Sequence, residues 1–204
     1  MKFWNIKENA KIVPRVLACG FLLTLLLGWL RTAAAAEQLP ESVLRLHVVA
    51  NSDSPEDQAL KLAVRDAVLE EAGKYCAGAG TLEEANFQVC THLESITQAA
   101  QKVIAQWGAE DRAVAQVTEQ YFPTKEYEDF TLPAGRYRAL RVVIGQGAGH
   151  NWWCVVFPAL CLPAAGEEDP LALLPEEQRE AAQSQYKVGF KLAEWFEEFK
   201  HWLG

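Results

Sequence analysis

The N-terminus constrains this chain more than any other part of the sequence. Basic residues come first, an uninterrupted apolar run then spans residues 16–30, and four alanines occupy residues 33–36. As a helix the apolar run would rise about 22 Å, which is short of the roughly 30 Å hydrocarbon core of a bilayer. The pattern predicts a secretory signal peptide over residues 1–36, cut near Ala35 or Ala36. The alternative is a short membrane anchor that is not cut.

The charge of the remaining chain limits what it can bind. The 204 residues carry a formal charge of −8, but the first 36 hold five basic side chains and one acid. Residues 37–204 therefore carry 14 basic side chains against 26 acidic ones, a charge of −12. Such a body repels nucleic-acid phosphates and anionic lipid. We expect no nucleic-acid partner, and membrane contact only through the N-terminal segment.

Residues 43–50 predict the first strand, because apolar side chains alternate there with Arg45 and His47 on the opposite face. The polar segment NSDSP ends this strand. Ser54 fits a helix N-cap and Pro55 fits the first helical position, so a helix is expected to follow. Charged residues at i,i+4 spacing predict ion pairs along one face of that helix; they are Asp57, Lys61 and Arg65.

The spacing of the apolar residues predicts the remaining helices and strands of the chain after residue 36. A second helix over residues 81–107 is expected to pair with the first as an αα-hairpin. Three strands follow, then an acidic linker at about 164–175 and a C-terminal helix running to about Trp202. The strands are predicted over residues 112–122 and 135–144 and in the apolar part of 150–158. This order predicts one compact α+β domain over residues 37–204, with a mostly antiparallel sheet, an αα-hairpin and a C-terminal helix.

The densest group of polar residues lies where the first strand meets the first helix of the body. Asn51, Ser52 and Asp53 stand beside a capped helix N-terminus and could bind an anion or a partner's backbone. The same residues could equally form the turn and cap that such a junction requires. His47 lies in the preceding strand without a histidine or cysteine at metal-ligand spacing, which favours a structural role.

Two cysteine interpretations compete in the last strand. His150 and Cys154 could form a nucleophilic pair, but on a strand they lie about 13 Å apart, too far for a direct proton relay. A disulfide between Cys154 and Cys161 is favoured, because Pro158 ends the strand and a reversing turn would bring the two cysteines within about 6 Å. The sequence contains no phosphate loop, nucleophile elbow or paired metal-ligand motif, so we expect no catalytic residues, no metal and no cofactor.

Two long and unusual segments resemble the stage II sporulation protein R family. They are RLHVVANSDSPEDQALKLAVRD at residues 45–66 and GAGHNWWCVVFPALCL at residues 147–162, and YKVGFKLAEWFEEF at residues 186–199 agrees in position. One departure is Ala159, where the family pattern leads us to expect a second proline. The resemblance implies a protein made in the forespore and exported into the space between its membrane and that of the mother cell. There it would activate a membrane-embedded aspartic protease that processes the precursor of sporulation sigma factor E.

The leading hypothesis is therefore a non-enzymatic signalling protein that acts by contact. Its candidate partner-binding residues are Arg45, His47, Asn51, Ser52, Asp53, His150, Asn151 and Trp152. One alternative is a cell-envelope hydrolase that uses Cys154 with His150 or His47. Another is a scaffold that binds the cell wall through exposed tryptophans.

Overall fold

The computed structural model describes residues 6–127, 130–158 and 170–183. A long N-terminal helix leads through a short 3₁₀ turn at Leu39–Glu41 into the body. The helices and strands are α1 (Ile6–Gln38), β1 (Leu44–Val49), α2 (Pro55–Cys76), α3 (Leu82–Thr91), α4 (Leu93–Gln106), β2 (Ala113–Phe122), β3 (Lys125–Glu126), β4 (Thr131–Leu132), β5 (Gly135–Ile144), β6 (Asn151–Phe157) and α5 (Glu176–Gln183).

One four-stranded sheet organises the body, with the strand order β2-β5-β1-β6. The two outer junctions, β2 with β5 and β1 with β6, are antiparallel, and the central junction between β1 and β5 is parallel. The helices α2, α3 and α4 connect β1 to β2. The mixed α+β architecture with a mostly antiparallel sheet is the one that the sequence predicted.

The three helices α2, α3 and α4 cover one face of the sheet. Ser54 caps α2 as predicted, since its side chain accepts a hydrogen bond from the backbone N–H of Asp57. The cap starts α2 at Pro55 and directs its apolar stripe onto the sheet. The side chains that fill this helix-covered face include Leu46, Val64, Ile96, Ile104 and Leu140, all fully buried.

A second apolar cluster lies on the opposite face of the sheet. It joins the end of α1 and the 3₁₀ turn to side chains of β2, β5 and α5. Its buried members include Ala35, Leu39, Phe122, Tyr137 and Ala181. Because the cluster covers only part of this face, the remaining part stays polar and partly exposed.

The N-terminal helix continues without a break through the alanines at residues 33–36. Most of its large apolar side chains between Ile12 and Leu30 are exposed. The span Ile12–Glu41 is long and apolar enough to cross a membrane. Both a signal peptide and a membrane anchor fit this helix.

Two local predictions need correction. The single helix expected over residues 81–107 is two helices, because His92 leaves the helical conformation at φ −106° and ψ 20°. Its ring accommodates the break by stacking on Tyr75, with ring centroids 3.8 Å apart. The loop between β2 and β5 also contains a short β3–β4 hairpin, which is too short to produce a readable sequence period. The predicted C-terminal helix begins at Glu176, and its part beyond residue 183 lies outside the described residues.

Candidate partner-binding site

Two loops meet at one end of the sheet, where β1 ends and β6 begins. Asn51 joins them with both of its oxygens: its side-chain oxygen accepts the backbone N–H of Gln146 at 2.9 Å, and its carbonyl accepts that of Ala148 at 3.0 Å. Gly149 donates its N–H to the carbonyl of Ala50 at 3.0 Å. The two segments that carry the family resemblance are therefore bound to each other by backbone hydrogen bonds.

Glycine allows the two loops to approach this closely. Gly145 has φ +56°, and a Cβ at this position would lie 2.3 Å from the side-chain oxygen of Asn51. A Cβ on Gly149 would lie 2.1 Å from the carbonyl oxygen of Ser52. Since real side chains do not tolerate such distances, the glycine-rich turn is a steric requirement of the junction.

The carboxylate of Asp57 holds the first loop from the helix side. Its Oδ2 accepts the side-chain amide of Asn51 at 3.1 Å and the hydroxyl of Ser52 at 2.5 Å. Gln58 adds a hydrogen bond from its amide to the carbonyl of Ser52 at 2.9 Å. The polar groups of Asn51 and Ser52 are thus used within the fold, as the turn-and-cap interpretation of these residues predicts.

Lys61 connects the helix to the second loop. Its ammonium donates to Oε1 of Gln58 at 2.6 Å and to the carbonyl of His150 at 3.1 Å. The side chain is nearly buried, and this burial lowers the pKa of Lys61. The i,i+4 ion pair predicted between Asp57 and Lys61 is replaced by these contacts, because the strand-to-helix junction folds back over Lys61. Sequence spacing alone gave no signal for this role.

The outer surface of the junction is formed by Asp53, His150, Asn151 and Trp152, which we call the tip surface. Asp53 accepts the backbone N–H of His150 at 2.6 Å and lies 2.5 Å from its ring Nδ1. These bonds to the charged carboxylate lower the pKa of Asp53. Asn151 is exposed beside them.

Trp152 is the large apolar element of the tip surface. Its residue is 39% exposed, and the guanidinium of Arg65 lies over its ring at 4.5 Å from the centroid. An exposed indole held in place by a cation–π contact presents a large contact area with little conformational entropy to lose. The structure therefore brings Asp53 and His150 into direct contact, and the exposed Asn151 and Trp152 follow them at the start of β6, with their side chains on opposite faces of the strand.

Arg45 does not share this surface, and its prediction as a contact residue needs correction. The side chain is fully buried. Its guanidinium carbon lies 4.1 Å from the ring centroid of Phe122 and 4.9 Å from that of Tyr137, and it donates a hydrogen bond to the hydroxyl of Tyr127 at 3.1 Å. Aromatic side chains from neighbouring strands replace solvent around the charge, so Arg45 cannot reach a partner from this position.

His47 is also nearly buried, on the same face of β1 as Arg45. Its Nδ1 lies 2.8 Å from the side-chain nitrogen and 3.1 Å from the side-chain oxygen of Gln120. Burial lowers the pKa of His47, and the positive charges of Arg141 and Arg45 act in the same direction. Within residues 6–127, 130–158 and 170–183, no group of three potential ligands could hold a metal ion. The neutral ring fits a structural role.

Cys154 is buried and disulfide-bonded, whereas Cys19, Cys76 and Cys90 are free. Its predicted partner, Cys161, lies outside the described residues, so the pairing stays a prediction. A sulfur in a disulfide provides no thiolate for nucleophilic attack. This argues against the hydrolase that would use Cys154 with His150 or His47.

Comparison with known proteins agrees with the two segments that form the junction. The profile of the family described as stage II sporulation protein R matches residues 40–167. The chain belongs to this family. It is 34% identical over 180 residues to stage II sporulation protein R of Bacillus subtilis (strain 168), covering 83% of this chain and 80% of that protein. No solved structure matches the chain.

Membership of the stage II sporulation protein R family makes this chain a sporulation signalling protein. The matched residues 40–167 include the whole of the junction between the two loops. They exclude all of α1 and all of α5. The part of the chain that identifies the family is therefore the sheet, its covering helices and the tip surface.

Proposed function

We propose that this protein is exported from the forespore and activates a membrane-embedded aspartic protease, which then processes the precursor of sporulation sigma factor E in the mother cell. The observation that carries the proposal is the tip surface itself, which an extensive hydrogen-bond network holds in one arrangement. A preorganised surface loses less freedom on binding a partner than a flexible loop would. Family membership in sporulation signalling supports the same conclusion.

The chemistry of the tip surface favours binding over catalysis. Asp53 orients the ring of His150 as an acidic residue orients a catalytic histidine. A catalytic pair of this kind also needs a nucleophile that the histidine can deprotonate. Two serines flank Asp53: the hydroxyl of Ser52 donates its hydrogen bond to Asp57 instead, and that of Ser54 accepts the backbone N–H of Asp57 as the cap of α2. An activator needs no such group, since it acts by binding the active form of its target more tightly than the inactive form.

Export is supported by the N-terminal helix, which is compatible with a signal peptide or a membrane anchor. In either case the acidic body would be placed outside the cytoplasm of the cell that makes it. The tip surface would then face the extracytoplasmic part of the protease across the space between the two membranes. Its exposed indole is the side chain on which we expect most of the binding energy to depend.

Reconstitution of the full chain with its protease and the sigma factor precursor in proteoliposomes tests this proposal. We expect Trp152→Ala to lower the stimulation of precursor cleavage about tenfold or more, as truncation of a central aromatic contact does in other interfaces. His150→Ala should have a smaller effect in the same direction. The readout is the rate of precursor cleavage at a fixed concentration of each variant.

Phe87→Ala is the matched control. Phe87 is a 66% exposed aromatic residue on α3. Its helix carries Glu83, which pairs with Arg138 beside the start of β1, at the other end of the sheet from the tip surface. Equal losses in the two alanine variants would contradict a specific role for the tip surface. If the unsubstituted chain gave no stimulation but retained cell-wall binding that Trp152→Ala removed, the scaffold alternative would replace our proposal.

A further inference from the structure

Strand β2 forms one edge of the sheet and is ten residues long. All ten residues pair with β5 in an unbroken antiparallel register, from Ala113 opposite Ile144 to Phe122 opposite Gly135. In such a pair, half of the backbone N–H and C=O groups of the edge strand point away from its neighbour. In the part of the chain that the structure describes, no other strand pairs with these outward groups.

This edge lacks the features that normally prevent strand addition. Natural edge strands are often short, bulged, or interrupted by proline or lysine. Strand β2 reads AVAQVTEQYF, which contains no proline and no lysine, and Glu119 is its only charged residue. Val114 is 60% exposed, and Gln116 and Glu119 are exposed as well. Open edges of this composition are the sites at which extended peptides add as a further strand.

Local charge indicates what kind of segment would bind there. Strands β2 and β5 together carry three arginines, at positions 136, 138 and 141, against the single acid Glu119, which is a net charge of +2. The body as a whole carries −12. Arg138 pairs with Glu83 at 3.4 Å, while no described carboxylate pairs with Arg136 or Arg141. The pair of strands at this edge is therefore net basic on an otherwise acidic protein, with the arginines on β5 and only Glu119 on β2 itself.

The start of this edge lies at the same end of the sheet as the tip surface, although β2 and β6 are the two opposite edges. The residue before β2, Arg112, accepts the backbone N–H of Gly145 with its carbonyl at 2.9 Å. The next residue of that turn, Gln146, donates to Asn51 of the junction at 2.9 Å. A partner that contacts the tip surface would therefore have to extend past β1 and β5, by about 14 Å, to reach the start of β2.

We propose that the outer edge of β2 receives an extended, acidic segment of the protein partner, which adds to the sheet as a fifth strand. This inference rests on the proposed function, since the partner is then the extracytoplasmic part of the protease. A second copy of the chain is the less suitable occupant, because two bodies of −12 repel each other. Backbone hydrogen bonds would supply affinity, and the arginines of β5 would select acidic side chains.

Hydrogen–deuterium exchange of the full chain, with and without the protease in lipid nanodiscs, tests the strand addition directly. We expect backbone amides within residues 113–122 to slow on the order of tenfold when the protease is added, because outward N–H groups gain hydrogen-bond partners. Unchanged exchange in a complex that still forms would overturn the proposal. So would slowing that depends on the concentration of this chain alone, which would identify a second copy as the occupant. Full protection in the free chain at every concentration would show that its own residues cover the edge.

A pair of opposite charges at one exposed position tests the selectivity. Gln116→Glu should weaken binding to the protease about two- to fivefold, the effect of a like charge across neighbouring strands. Gln116→Lys, which changes strand propensity and side-chain size to a similar degree, should leave binding unchanged or tighten it. Equal weakening by both variants would contradict an acidic partner strand.

The two proposals fail in different ways. Protection of β2 without stimulated precursor cleavage would leave the strand addition standing and remove the proposed activation. Stimulated cleavage that depends on Trp152 but is insensitive to both Gln116 variants, with unchanged exchange over residues 113–122, would leave the activation standing and remove the strand addition.

Discussion

The two faces of the sheet bury different kinds of side chain, apolar on one and partly polar on the other, although strand β1 contributes to both. Leu46 of β1 points into the helix-covered face, which is filled by a cluster of buried apolar side chains. Its neighbours Arg45 and His47 point to the other face, where they are buried among aromatic rings. The helix-covered face gains stability from burial alone. The opposite face retains polar groups whose burial opposes stability unless they are hydrogen-bonded.

The buried polar atoms on this opposite face that lack hydrogen bonds indicate the size of the free-energy cost. Nε and Nη1 of Arg45 and Nε2 of His47 are buried and make no hydrogen bond with any of the residues that the structure describes. A buried polar atom left without a partner costs about 1–3 kcal/mol. The cation–π contacts of Arg45 with Phe122 and Tyr137 offset part of this cost, at about 2 kcal/mol when desolvated. This comparison indicates that the helix-covered face determines the stability of the fold. A contribution to stability does not explain why the opposite face contains buried polar residues.

Truncation on the helix-covered face should give the largest effect. Leu46→Ala removes a fully buried side chain from the centre of the sheet. We expect it to lower the free energy of unfolding by about 2–5 kcal/mol, the cost of lost burial plus the cavity that remains. Denaturant unfolding followed by circular dichroism measures it as a fall in midpoint with an unchanged slope.

The exposed face of the same sheet provides the control for that measurement. Val114→Ala also truncates an aliphatic residue in a strand, but at a position that is 60% exposed. We expect a change within about 0.5 kcal/mol, as for most surface substitutions. If Leu46→Ala cost no more than Val114→Ala, the helix-covered face would not be the stabilising core.

Much of the fold could be predicted because local patterns specify it. The strand alternation before Ala50, the cap at Ser54 and the residues 135–144 of β5 were all readable from the sequence. The break at His92 was not, because the apolar period continues across it from Val89 to Ile96. A tertiary contact, the stacking of His92 on Tyr75, accompanies the break, and the sequence pattern carries no information about it.

The site was predicted less completely than the fold for a related reason. Its residues were identified as two separate segments, but the bonds that join Asn51 to Gln146 and Asp53 to His150 span more than 90 positions. The period of apolar residues indicates only on which face of its own strand or helix a residue lies. It placed Arg45 correctly on the face opposite Leu46, yet it could not show that aromatic side chains from β2 and β5 would cover that face.

Replacing Arg45 by methionine should sharpen the contrast between the two faces. Arg45→Met keeps an unbranched apolar stem and removes a charge of which two nitrogens, Nε and Nη1, have no hydrogen-bond partner among the described residues. The lost cation–π contacts and the relieved desolvation act in opposite directions, so we expect a net change in unfolding free energy within about 1 kcal/mol. The measurement is denaturant unfolding at pH 7.5.

Arg45→Ala distinguishes lost packing from lost charge at this position. It should cost about 2–4 kcal/mol, because it also removes the stem and leaves a cavity among the rings. If Arg45→Met instead lowered the free energy of unfolding by more than about 3 kcal/mol, the charge itself would stabilise the fold. The polar face would then contribute to stability as the helix-covered face does.

His47 should produce the smallest effect, visible only as a dependence on pH. Burial lowers the pKa of His47 below its ordinary value of 6.5, so the unfolded chain binds the proton more readily than the folded one. The stability is therefore fully present above about pH 6.5 and falls as the pH drops through the lowered pKa. We expect His47→Gln to reduce this acid-side loss, because glutamine keeps a hydrogen-bonding group beside Gln120 but does not titrate. Unfolding free energies of the two proteins between pH 5 and 7.5 measure the difference, in which the other histidines cancel. Parallel curves would mean that His47 is solvated in the folded protein, and that the polar face is open where the structure shows it closed.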